Sequence, residues 1–193
     1  MKRTATITRK TKETDIKISL ELESEKESKI KTSIPFLSHM LELFARHGKI
    51  FLDCDISGDI DVDLHHTIED SGIVLGTAFK EALQDKKGIN RYGSILLPMD
   101  ESLVQVAIDL SGRPHFKYDI GNVSGKIGNF DVEHCRHFFE SFTYQLQLNL
   151  HIKLLYGEDK HHIIEAIFKG VARALAQAVE IKGDRIPSTK EIL

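Results

Sequence analysis

Tryptophan is absent from the 193 residues, and cysteine and proline are scarce, at two and four. Cys54 and Cys135 have neither the density of a disulfide scaffold nor the spacing of a thiolate metal site, and they fit a reducing, cytoplasmic setting. No Pro/Ser-rich or low-complexity stretch marks a linker, so the chain reads as one compact unit. No apolar run approaches the roughly 18–20 residues of a membrane span. Met1-Lys2-Arg3-Thr4 leads into an alternating segment and not into an apolar signal core. Neither sign of charge dominates. Twenty-six Lys and Arg against 29 Asp and Glu leave a net charge of −3, which gives no general pull toward nucleic acid or an anionic membrane. With 41% hydrophobic and 28% charged residues, the composition is that of a soluble globular protein with a sizeable core.

What the chain has in excess is histidine, ten residues in all. Four form adjacent pairs that open one motif twice, His65-His66-x-x-Glu69 and His161-His162-x-x-Glu165, offset by 96 residues (161 − 65). The offset extends beyond the motif. Both copies start helices with apolar residues at three- and four-residue spacing, and both helices run toward a Lys-Gly, Lys87-Gly88 and Lys182-Gly183, read as a stop signal. Phe51–Ile56 and Leu148–Lys153 are the strands before them. Pro35–Gly48, with His39, and Val132–Gln147, with His137, are the helices before those. Alternating strands come earlier: Thr4–Thr8, Asp15–Glu23 and Lys29–Thr32, then Leu103–Leu110 and His115–Ile120. The charge run from Glu21 to Lys31 is read as a solvated hairpin. The expected fold is α+β, duplicated as halves 1–95 and 96–193, with two sheets, helices on one face of each, and a pseudo-twofold axis.

Residues i and i+4, or i and i+3, share a helix face, whereas neighbours diverge by about 100°. Glu69 can therefore pair with His65 or His66, but one ion would struggle to use both histidines. Two metals fit better. Six imidazoles (His39, His65, His66, His137, His161, His162) and two carboxylates (Glu69, Glu165) divide evenly, three and one to each ion. That donor set suits Mn, Fe, Co, Ni or Zn, and the lack of thiolate argues against a structural zinc. One His-x-x-Glu alone would be an ordinary surface pair; its duplication in a duplicated scaffold is what carries the argument. His47, His115, His134 and His151 lack repeat support and are read as ordinary surface, core or supporting residues.

These motifs resemble the imidazoleglycerol-phosphate dehydratase family. The resemblance rests on Asp61-x-Asp63-x-His65-His66-Thr67-x-Glu69-Asp70, Gly157-Glu158-x-x-His161-His162-Ile-Ile-Glu165, Pro35-Phe-Leu-x-His39, Arg91-x-Gly93, Pro98-Met-Asp-Glu101, Asp109-Leu-Ser-Gly-Arg113-Pro and Pro187-Ser-Thr-Lys190. It runs over essentially the whole chain, departing at Leu64 and at Gln147, near where a glycine is usual. It implies ribosomal-S5-domain-2-like halves and a monofunctional dehydratase of histidine biosynthesis. The reaction would convert D-erythro-imidazole-glycerol phosphate to imidazole-acetol phosphate by way of a metal-bound imidazolate. It further implies two Mn2+ ions and a homo-oligomer of two dozen subunits with active sites shared between neighbours. Glu13 matches the proton-transfer position. Arg91, Arg113, Lys169, Ser188, Thr189 and Lys190 match the phosphate-binding positions. Two rivals use the same ligands: a dinuclear phosphate-ester hydrolase, and a metal-storage oligomer without activity.

Overall fold

Period-two alternation puts every second side chain of a strand on one face. In Thr14–Glu21 that face carries Ile16, Ile18 and Leu20, all buried, while Asp15 and Lys17 meet solvent. The computed structural model, which describes residues 2–190, makes this segment the second strand of the first half. That half comprises β1 (Thr4–Lys10), β2 (Thr14–Glu21), β3 (Lys29–Thr32), α1 (Pro35–Gly48), β4 (Phe51–Gly58) and α2 (His65–Leu83). The sheet order is β1-β2-β4-β3; β1 and β4 run antiparallel to β2, and β3 runs parallel to β4. A parallel pair needs a crossover, and α1 supplies it.

The second half repeats this plan with one insertion. Its elements are β5 (Tyr92–Met99), β6 (Ser102–Asp109), β7 (His115–Asp119), the small hairpin β8 (Lys126–Ile127) and β9 (Phe130–Asp131), α3 (Val132–Leu146), β10 (Asn149–Tyr156) and α4 (Lys160–Val179). The order β5-β6-β10-β7 has the same strand directions as the first sheet. The α+β class and the duplicated plan are those read from the motif repeat.

The helices cross between the halves. α2 covers β1 and β2 but packs along α3, and α4 covers β5 and β6 but packs along α1. The seam between α1, α2 and α3 is aromatic: Phe44, Phe79 and Phe142 meet edge to face at centroid distances of 5.6–6.2 Å. α2 approaches α3 closely because Gly72 has no side chain. A Cβ there would lie 2.4 Å from the Phe138 carbonyl oxygen.

Three expectations need correction. β5 carries an unbroken alternation, but Gly93 and Pro98 within it conceal a strand. Pro98 is tolerated because β5 is an edge strand and loses no ladder bond there. The 95/96 division consequently falls inside β5. The Glu21–Lys31 run is not a hairpin, because β2 and β3 are not neighbours; it is the connection that carries the chain past β4. The Lys-Gly pairs are not helix caps. α2 ends at Leu83 and α4 at Val179, ahead of both. The two pairs meet each other instead: the Lys182 amide donates to the Gly88 carbonyl at 2.7 Å and Gly88 to the Arg185 carbonyl at 2.9 Å. Gly88 takes φ +75°, and a Cβ on it would strike the Gly183 carbonyl.

Candidate metal centre and phosphate pocket

Each His-His pair stands at the first turn of its helix because an aspartate two residues earlier anchors that turn. Asp63 accepts the His65 amide and Asp159 the His161 amide, both at 2.7 Å. In both copies the first histidine turns toward its own glutamate. His65 Nε2 lies 3.1 Å from Glu69 Oε2, and His161 Nε2 lies 3.1 Å from Glu165 Oε2.

The crossed helix packing brings the third group from the other half. His39, on α1 of the first half, places Nε2 3.6 Å from Glu165 Oε2. The ligand atoms of His39, His161 and Glu165 all lie within 4.8 Å of one another. His137, on α3 of the second half, meets His65 edge to face at 4.4 Å between centroids. One compact cluster of two imidazoles and one carboxylate results, with a looser counterpart in which His65 touches both Glu69 and His137, and both draw on the two halves. They are not equivalent. Glu165 is buried with 9% of its side chain exposed, whereas Glu69 shows 43%. Burial opposes ionisation of Glu165, but the Lys169 ammonium at 2.5 Å and the facing imidazoles hold its carboxyl below the ordinary value.

His66 and His162 leave these clusters. His66 Nδ1 meets Asp59 Oδ2 at 3.2 Å, and His162 Nδ1 meets Glu101 Oε2 at 2.7 Å. Each hydrogen bond raises the imidazole's pKa. The even split of three imidazoles per ion is therefore not completed by the described residues of one chain. Neither orienting carboxylate was singled out as a site residue in the sequence. A trace of them exists in the glycine-acid pair that follows each motif strand, Gly58-Asp59 and Gly157-Glu158, and in Pro98-Met-Asp-Glu101.

The remaining expected residues fall in three places. Glu13 is exposed in the β1–β2 turn, where its carbonyl accepts the Asp59 amide at 3.0 Å and its charge acts on His66. Arg91, Arg113, Ser188, Thr189 and Lys190 line one open pocket of about 800 Å³. Arg91 is held there by Asp109 at 2.7 and 3.1 Å and by the Pro187 carbonyl at 2.9 Å. Lys169 does not line that pocket; it is occupied by Glu165. A further buried carboxylate, Asp70, joins Arg9 at 2.9 Å and the Thr14 hydroxyl at 2.5 Å, and so ties α2 to β1 and β2. Among the described residues no helix is long and apolar enough to cross a membrane.

A duplicated α+β scaffold that crosses its halves to bring imidazoles and a carboxylate together as a candidate metal site, beside a separate pocket lined by Arg91, Arg113 and Lys190, is the framework of a small-molecule enzyme. The comparisons give the family. The family model for imidazoleglycerol-phosphate dehydratase matches residues 32–175. The chain is 56% identical over 181 residues to the imidazoleglycerol-phosphate dehydratase of Geobacter sulfurreducens, covering 94% of this chain and 93% of the relative. It is similar to the solved enzyme from Staphylococcus aureus, with a TM-score of 0.84 at 38% identity over 92% of this chain and 99% of the other. It is also similar to that from Pyrococcus furiosus, with a TM-score of 0.82 at 35% identity over 97% and 100%. The chain belongs to the imidazoleglycerol-phosphate dehydratase family.

Proposed function

We propose that this chain eliminates water from D-erythro-imidazole-glycerol phosphate to give imidazole-acetol phosphate, a hydro-lyase step of histidine biosynthesis. The observation that carries this reading is the crossed cluster of His39, His161 and Glu165, repeated in outline by His137, His65 and Glu69. Borderline nitrogen donors with one carboxylate and no thiolate fit Mn2+. Two such ions, held by these histidines and glutamates, would supply Lewis acidity for the elimination.

The chain's own residues do the rest. Glu13 is the proton-transfer group at the carbon that loses its hydrogen. Departure of that proton and of one hydroxide leaves an enol, which tautomerises to the ketone. Arg91, Arg113 and the Ser188–Lys190 segment hold the phosphate, with Arg91 pre-aligned by Asp109. Lys169 is a sixth phosphate contact, supplied beside the metal ligand Glu165. Because His66 and His162 turn away from the clusters of their own chain, and Lys169 lies apart from the Arg91–Arg113 pocket, each active site is assembled from several copies. A homo-oligomer of two dozen subunits with shared sites satisfies that requirement. The buried thiols of Cys54 and Cys135, both pushed up to about 12 by burial, suit a cytoplasmic enzyme that keeps its cysteines unreacted.

Turnover of imidazole-glycerol phosphate distinguishes this reading from the phosphate-ester hydrolase that the same ligands could serve. Formation of the ketone with phosphate retained supports it. Release of inorganic phosphate with no ketone contradicts it.

A further inference from the structure

The repeat that duplicates the metal ligands also duplicates the hairpin beside them. Thr14 opposes Gly58 across β2 and β4, and its methyl would touch a Cβ placed there. In the second half Leu103 opposes Tyr156, and a Cβ on Gly157 would touch the Ser102 hydroxyl. Thr14 and Ser102 are thus the same position in the two halves. Each is buried at the start of its strand. The residue immediately before it is a glutamate in both, Glu13 and Glu101.

These counterparts have opposite surroundings. Glu13 is exposed, and among the described residues only its backbone is engaged: its amide donates to Thr11 Oγ1 and its carbonyl accepts from Asp59. The nearby His66 takes its Nδ1 partner from Asp59 instead. The Glu101 carboxylate has no such freedom. Oε1 accepts from the Ser102 hydroxyl at 2.8 Å, the Asp159 amide at 2.9 Å and the Glu158 amide at 3.3 Å. Oε2 meets His162 Nδ1 at 2.7 Å. Three donors fix one oxygen so that the other fixes an imidazole. With Nδ1 engaged, Nε2 is the nitrogen left to His162 for a metal, and it lies 3.7 Å from Asp100 Oδ2. A carboxylate behind a ligating imidazole fixes its tautomer and orientation and raises its basicity.

We infer that Glu101 is a positioning residue, the second-half counterpart of Glu13, and that it fixes His162 as a metal ligand where Glu13 stays free for proton transfer. Asp59 serves His66 in the same way but more loosely. Its carboxylate straddles Nδ1 at 3.2 and 3.3 Å, and among the described residues that carboxylate has no hydrogen-bonding partner other than His66. The two halves have therefore divided two tasks that their symmetry would have duplicated. The metal position served by His162 is the more rigidly prepared.

This inference rests on the two-metal reading above, and the experiment separates the two. Mn2+ binding to the full-length oligomer is measured by equilibrium dialysis for the wild type and for Glu101→Gln, Glu13→Gln and Asp59→Asn. Glutamine keeps acceptor capacity for the Ser102, Glu158 and Asp159 donors but removes the charge behind His162. Glu101→Gln is expected to weaken one class of site by roughly 10–100-fold, with the melting temperature of the metal-free protein unchanged. Asp59→Asn should weaken the other class by a smaller factor. Glu13→Gln should bind Mn2+ as the wild type does and lose turnover. Unaltered Mn2+ affinity in Glu101→Gln overturns the inference and leaves the metal centre standing. Equal weakening of both classes together with a lower metal-free melting temperature also overturns it, because that pattern marks a structural cap. A wild type that binds no Mn2+ overturns the metal centre and the inference with it.

Discussion

Gly72→Ala tests whether the crossed packing builds the site. The new Cβ would sit 2.4 Å from the Phe138 carbonyl oxygen and 3.2 Å from its carbon. Carbon–oxygen contacts of this kind settle near ~3.3 Å, so α3 must retreat from α2 by roughly 0.9 Å. The obstacle is backbone, not a flexible side chain. Overpacking of this sort costs about 1–3 kcal/mol, against which the better helix propensity of alanine returns about 0.5–1 kcal/mol. The net loss is about 1–2 kcal/mol, or a fall of roughly 2–8 °C in melting temperature for a chain of this size. The functional consequence is larger. Phe138 follows His137, which faces His65 across the same seam. Metal–ligand distances tolerate about 0.2 Å, so the His137 position should lose most of its affinity while the His39–His161–Glu165 cluster keeps its own. Thermal melting of the metal-free protein and Mn2+ dialysis read both effects. Gly183→Ala, where a Cβ meets nothing within 4 Å, is the control. A Gly72→Ala protein that melts at or above the wild-type temperature and binds Mn2+ normally would refute the reasoning.

Three other outcomes follow from single residues. Gln147 ends α3 in the left-handed region at φ 60°, ψ 53°, a conformation that costs about 1–2 kcal/mol outside glycine. Gln147→Gly should raise the melting temperature by roughly 1–3 °C, after the extra chain entropy of glycine is discounted; a lower melting temperature would contradict the strain. His134 Nδ1 accepts the Asp131 amide at the start of α3, and burial lowers its pKa from 6.5. Its contribution is present above pH 6.5 and lost as pH falls through the folded value, because the unfolded chain takes the proton first. The metal-free His134→Gln variant should therefore show a shallower loss of urea resistance between pH 7.5 and 5.5, and an identical slope would argue against it. Arg91→Lys cannot reproduce the two-pronged contact with Asp109 and the bond to Pro187. It should raise KM for the phosphorylated substrate about tenfold with a smaller change in kcat; an unchanged KM would remove Arg91 from the phosphate pocket.

The fold was legible where one pattern repeated. The spacing of the two His-His-x-x-Glu motifs carried the register of the helices, the strands before them, and the positions of His39 and His137. β5 was not legible, because Gly93 and Pro98 look like interruptions until the strand is known to be an edge. The meeting of Lys87-Gly88 with Lys182-Gly183 is a contact between remote backbones, and no local signal distinguishes it from a helix stop. At the site, residue types and helix faces offered candidate donors, but not which came together. The crossing of α1 onto α4 and α2 onto α3 decides that His39 serves Glu165 and His137 serves His65. That crossing depends on aromatic packing and on Gly72, not on the motifs. Glu101 was visible only as part of a family-like segment, since two of the three donors to its carboxylate lie on a remote element, the turn before α4.

The most direct measurement is dehydration of imidazole-glycerol phosphate followed as Mn2+ is returned to the chelator-stripped protein, with bound metal counted in the same samples. Activity that rises with occupancy and saturates at two ions per chain, with the oligomer reassembling in step by light scattering, is the expected result. Full dehydratase activity in metal-stripped protein, or saturation with His39, His161 and Glu165 all replaced by alanine, would contradict the metal centre on which the proposed function rests.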